Sequence, residues 1–132
     1  MIDPENVPEV DDSEVVARYA TQSSHFRANG TARSDLFFPH PHQELSVTRH
    51  LLATEEEIWR VGQSVADAQK KKLYGRADVE AIAFVEQDLS FRKDPLPTNP
   101  NHANVVGWAG DKPSQKTKAQ LIAAKSNFIK II

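Results

Sequence analysis

The sequence predicts an α+β domain: a small mixed or antiparallel sheet with about two helices packed on one face. Three observations carry this prediction. Apolar residues recur at three- and four-residue steps from about Glu55 to Lys70, which marks a helix. Short runs rich in Val, Ile and Phe lie on both sides of it and suit strands. The pieces alternate irregularly, without the long βαβ spacing of a parallel sheet. The length agrees, because 132 residues make one domain. A chain of this size buries roughly two-thirds of its unfolded surface and needs no disulfide or metal to hold a core.

In chain order, Glu14 to Tyr19 (EVVARY) reads as a short strand, and Asn29-Gly30 marks a turn in a polar stretch. Pro39-His40-Pro41-His42 forbids helix and central strand, so it is loop or edge. Glu44 to Arg49 returns to a strand, with Leu45, Val47 and Arg49 on one face and Ser46 and Thr48 on the other. Thr54 and Glu57 form a capping box at the start of the helix, three acids fill its first turn, and Lys70, Lys71 and Lys72 fill its last. Its buried stripe is expected to be Ile58, Val61, Val65 and Ala68, widened by Trp59 and Ala66. Residues 78–87 suit either a short helix or a strand. Leu89 to Phe91 alternates as a strand does, 94–102 is a proline-rich loop, and Ala103 to Trp108 is a buried strand. A second helix begins near Pro113, with Leu121, Ala124 and Phe128 as its apolar face.

Composition narrows the function classes. There is no Cys, which excludes disulfides, thiolate catalysis and iron–sulfur ligation. No apolar run is long enough to cross a bilayer, and no basic n-region precedes an apolar segment at the N-terminus. A cytoplasmic protein without membrane contact is expected. The net charge of −2 does not favour nucleic acid as a partner. Its distribution is uneven: residues 1–14 hold six acids and no base, and residues 112–132 hold five lysines and no acid. The organisation expected is an acidic disordered tail over 1–12 and a single domain over 13–132.

Three groups of residues invite a functional reading. His40 and His42 stand as H-x-H, and His25 or His50 would have to complete any metal site; no metal or other cofactor is assigned. His25, Arg27, Arg33, Arg49, His50 and Arg76 are cationic, and a turn at Asn29-Gly30 would let His25, Arg27 and Arg49 converge on an anion such as a nucleotide phosphate. In the run Asn99 to Asn104, His102 sits where a loop meets a buried strand. The anion-binding set is therefore His25, Arg27, Arg33, Arg49, His102 and Asn104. No catalytic motif is legible, so enzyme activity stays open. Phe128, Ile129, Ile131 and Ile132 crowd four large apolar side chains into the last five residues, so part of the set is expected to close the core and part to contact a protein partner or a second copy of the chain.

Several segments also resemble a family of small bacterial proteins of unknown function. The resemblance rests on His25, Gly30, the run Leu45-Ser46-Val47-Thr48-Arg49, the run Asp94 to Ala103 (DPLPTNPNHA) and Val105-Val106-Gly107, and it spans roughly 15–125. It implies a bacterial or phage setting in a defence or mobile-element gene cluster, and carries no activity to transfer. The leading expectation is an accessory protein that binds a larger protein. The alternative is a nucleotide- or phosphate-binding, transferase-like domain using a His/Arg pocket.

Overall fold

The computed structural model describes residues 2–39 and 43–131. The six strands are β1 (Val15–Ala20), β2 (Leu45–Arg49), β3 (Gly75–Glu80), β4 (Ser90–Lys93), β5 (His102–Val106) and β6 (Asn127–Lys130). They form one sheet in the order β4-β5-β2-β1-β3-β6, and every neighbouring pair is antiparallel. The helices are α1 (Glu55–Ala68), α2 (Ile82–Val85) and α3 (Lys112–Ala124), with 3-10 turns at Ser23–His25 and Ser34–Phe37. The class is α+β with an antiparallel sheet.

Successive side chains of a strand point to opposite faces, and β1 is apolar on both. Val16 and Ala20 join Leu45, Val47, Val79 and Val105 in a core closed by Leu36, Phe37, Phe84, Ala119 and Ile122. Tyr19 faces the other way and packs with Ile58, Val61, Ala66 and Leu73. The two long helices therefore lie on opposite faces, not together on one. A central strand that is apolar on both sides needs cover on both.

The start of α1 follows its capping box: Thr54 Oγ1 accepts from the Glu57 N–H, and the Thr54 N–H donates to Glu57 Oε1. The buried stripe runs through Ile58, Val61, Gly62 and Ala66. Val65 is half-buried and Ala68 exposed, because a cleft opens beside them. At Gly62 the Tyr19 ring rests on the helix backbone, with a ring carbon 2.5 Å from where a Cβ would stand. Residues 78–87 resolve into both alternatives, the end of β3 and then α2, divided at Ala81.

Asp111 caps α3 and Pro113 sits in its first turn. Its buried residues are Gln115, Ala119 and Ile122. Leu121 is 47% exposed, Ala124 is exposed, and Phe128 belongs to β6. The expected apolar face is thus displaced onto the stripe of Gln115, Ala119 and Ile122, the side of the helix that meets the 3-10 turn at Ser34–Phe37.

Within residues 2–12, side chains and carbonyls lie against the domain. Ile2 and Val7 are buried. The carbonyls of Val7 and Pro8 accept from Lys93 Nζ and Arg49 Nη1, each at 2.8 Å. The leader supplies acceptors that these two cations need.

Candidate functional site

The α1 helix covers the sheet only over β1 and β3, where Tyr19 meets it. The same face continues across β2 and β5 without a helix above it. The register puts Thr48 beside Ala17 and His102, and Ser46 beside Asn104. These side chains floor a cleft of about 790 Å³. One wall is α1, through Val61, Ser64, Val65 and Ala68. The 94–101 loop closes one end with Leu96, Thr98 and Asn99, and the segment after β1 closes the other with Thr21, Gln22 and His25.

The floor is polar and internally ordered. Thr48, Asn99 and Asn104 are all buried. Asn99 Nδ2 donates to Thr48 Oγ1 at 3.0 Å. Ser46 Oγ donates to Asn104 Oδ1 at 3.4 Å, and Asn104 Nδ2 donates to Asp94 Oδ2 at 3.2 Å. His102 Nδ1 lies 2.9 Å from the Asp94 carbonyl and 3.3 Å from Asp94 Oδ2. A carbonyl oxygen only accepts, so Nδ1 carries the proton and the neutral ring keeps its lone pair on Nε2. Nε2 has no hydrogen-bond partner among the described residues. His25 Nδ1 accepts from the Thr21 N–H at 3.3 Å, which assigns the opposite tautomer to its neutral ring.

Of the six residues expected to bind an anion, His25, His102 and Asn104 line this one cleft. Arg27 does not. It is exposed and staples its own turn through Thr31 Oγ1 and the Ala32 carbonyl. Arg33 is exposed and stands outside the lining. Arg49 shares a sheet face with Leu45 and Val47, opposite the cleft. There it is buried and occupied by both oxygens of Glu14 and by the Pro8 and Glu9 carbonyls. The expected convergence of His25, Arg27 and Arg49 does not occur, because one residue of register moves a side chain to the other face.

Arg76 and His50 form a separate cluster. Arg76 is buried against Asp78 and Glu55, with its guanidinium 4.6 Å from the Trp59 ring centre. His50 Nε2 lies 3.1 Å from Asp78 Oδ1. Burial pushes the Asp78 carboxyl up, but its bonds to His50 and Arg76 outweigh that and hold it below the usual range. Burial also raises the Tyr19 hydroxyl, whose proton goes to the Ile58 carbonyl.

Sequence reasoning missed Arg18, which lines the cleft. Its signal was a single arginine inside the apolar run Val15-Val16-Ala17-Arg18-Tyr19-Ala20. Burial lowers its guanidinium to about 10, so it remains a cation at neutral pH.

His40 and His42 lie outside the described residues. Among the described residues no group of three His, Asp or Glu converges as metal ligands, and no helix is long and apolar enough to cross a membrane. No protein-family model, curated protein or solved structure matches the chain.

Proposed function

We propose that the chain is a binding domain for a small organic molecule that lies along the open half of the sheet, against α1. One observation carries the reading: a cleft of about 790 Å³ joins a hydrogen-bonding floor from adjacent strands to an apolar helical wall. That volume falls in the range of ligand sites, about 300–1,000 Å³. Buried Thr and Asn side chains present donors and acceptors at fixed positions, and Val61 and Val65 offer apolar surface. Binding is preferred over nucleophilic catalysis because the Ser46 hydroxyl gives its proton to Asn104, not to a histidine.

The test is a small-molecule screen by ligand-observed NMR on wild type and Ser46→Trp. Ser46 is exposed on the cleft floor, so an indole there fills the cleft and spares the core. Compounds that bind wild type and lose binding in the variant support the reading. Binders indifferent to Ser46→Trp, or no binders at all, overturn it.

A second reading, a cytoplasmic bacterial accessory protein in a defence or mobile-element cluster, takes a protein partner. It draws on β6. This strand ends the sheet, and Ile131 beyond it is 39% exposed. The opposite edge strand carries Arg92 and Lys93, charges of the kind that blunt an edge. An extended partner segment would add to β6. A partner purified with the full chain and lost with Ile131→Lys would favour it; retention would remove it.

A further inference from the structure

We propose that the ligand of this cleft is a small organic acid, with its carboxylate on Arg18 at the point where β1 and β2 part. This rests on the cleft reading above and adds the chemical class. β1 pairs with β3 over six residues, from Val15↔Glu80 to Ala20↔Gly75. With β2 it pairs only at Val16↔Arg49 and Ala17↔Thr48. Arg18 leaves β1 on the Val16 face, opposite the floor, and its guanidinium reaches the cleft through the gap between β1 and β2 beyond that point. Its Nε donates to the Leu36 carbonyl at 2.9 Å, and its Nη1 to the Ser46 carbonyl at 3.0 Å.

Two main-chain carbonyls thus fix the plane of the guanidinium, and Nη2 has no partner among the described residues. Among those residues the sealed, unpartnered polar side-chain atoms are Arg76 Nη1 and Asn101 Oδ1, so Arg18 Nη2 is reachable from solvent. Arg49, Arg60, Arg76 and Arg92 each pair with a carboxylate. Arg18 pairs with none among the described residues. A half-buried cation without a counterion favours an incoming anion, which regains the lost interaction. Its lowered pKa has burial as its cause and no opposing carboxylate, in keeping with that geometry.

The charges around the cleft limit the ligand's own charge. The lining holds two cations, Arg18 and Lys71, and two acids, Asp35 and Glu44, of which Glu44 is already bound to Arg92 at 2.6 Å, so one positive charge is in excess. One anionic group fits this balance, whereas a polyphosphate would meet the two acids. The remainder of the ligand lies against Val61 and Val65, where an apolar ring or chain is favoured.

The experiment uses phenylacetate, its neutral analogue phenylacetamide, and phenyl phosphate as probes on the full chain, with dissociation constants from NMR titration. The expected result is that phenylacetate binds at least tenfold more tightly than the amide and more tightly than the doubly charged phosphate. In Arg18→Gln the acid-over-amide preference should fall to about one. Because Arg18 also bridges two elements, that variant can fail to fold. The second measurement therefore uses wild type, where the acid and not the amide should shift the Arg18 side-chain ¹⁵Nε–H resonance. Acid and amide binding equally, both blocked by Ser46→Trp, would overturn the Arg18 assignment and leave the cleft reading standing. Tighter binding of phenyl phosphate would overturn the carboxylate class. Binding of none of the three would overturn the organic-acid proposal.

Discussion

Arg49 and Glu14 form a two-point ion pair, Nε to Oε1 at 2.8 Å and Nη2 to Oε2 at 2.7 Å, that ties the entry of β1 to the end of β2. Arg49 is wholly buried and Glu14 nearly so. The remaining donors of Arg49 reach the Pro8 and Glu9 carbonyls, so one guanidinium holds two strands and the leader together. Removing one partner of a buried pair strands the other charge, at a cost of about 3–5 kcal/mol. Arg49→Ala should lose stability of that order in urea denaturation and expose residues 2–12 to proteolysis. Arg33→Ala, at an exposed site, should stay within about 0.5 kcal/mol of wild type. Equal effects from the two would show that the buried pair does not hold the leader.

Acid sensitivity should centre on Asp78. Its folded carboxyl lies below its ordinary value because His50 and Arg76 bond the charged form more strongly than burial penalises it. A depressed carboxyl contributes stability that is present above the unfolded value, ~3.9, and is lost as pH falls through the folded value. Stability should therefore decline below about pH 4, and Asp78→Asn should flatten that decline. Urea midpoints measured from pH 3 to 6 on both proteins compare the slopes. Identical slopes would remove Asp78 from the acid transition.

Much of this arrangement is legible in the sequence where the rule is local. The alternation of Leu45, Val47 and Arg49 against Ser46 and Thr48 is enough to put the two polar residues of the cleft floor on one face, and Thr54 with Glu57 marks the start of α1. What depends on strand neighbours is not legible. Nothing in Val15-Val16-Ala17-Arg18 tells that β1 and β2 separate after two pairs, so Arg18 reads as an ordinary strand residue. The displaced face of α3 has a related cause. Leu121 is exposed while Ala119 and Ile122 are buried, because the packing partner, and not the apolar count, sets which side of the helix turns inward. Arg49 misleads for the same reason: its cationic chemistry is visible, but its pairing with Glu14 across 35 positions is not.

Gly62 tests the fit of α1 to the sheet. In an exposed helix interior, Gly→Ala stabilises by about 1 kcal/mol. Here the new methyl would meet the Tyr19 ring, whose Cε1 is 2.5 Å from the Cβ position. The ring is held by its hydroxyl bond to the Ile58 carbonyl, so it has little room to move. Overpacking of a core costs about 1–3 kcal/mol, which exceeds the propensity gain. Gly62→Ala should lower the thermal midpoint, and Gly62→Ala combined with Tyr19→Ala should remove the clash component. A single Gly62→Ala variant more stable than wild type would mean that α1 does not sit on Tyr19.

The C-terminal segment separates closing the core from binding a partner. Phe128 stacks on Phe26 with ring centres 4.9 Å apart and packs against the core. Ile131 follows β6, donates its N–H to the Tyr74 carbonyl and leaves its side chain 39% exposed. A fully buried Phe→Ala change costs about 3–5 kcal/mol, and Phe128 is only half-buried. Phe128→Ala should therefore cost about 1–3 kcal/mol. Ile131→Lys keeps the backbone bond and should change stability by less than about 0.5 kcal/mol. Deleting residues 128–132 removes the ladder partner of β3 as well, and should destabilise more than Phe128→Ala. Chemical denaturation ranks the three. A deletion no worse than wild type would make the segment a tail, and a costly Ile131→Lys would place that side chain in the core instead of at an open edge.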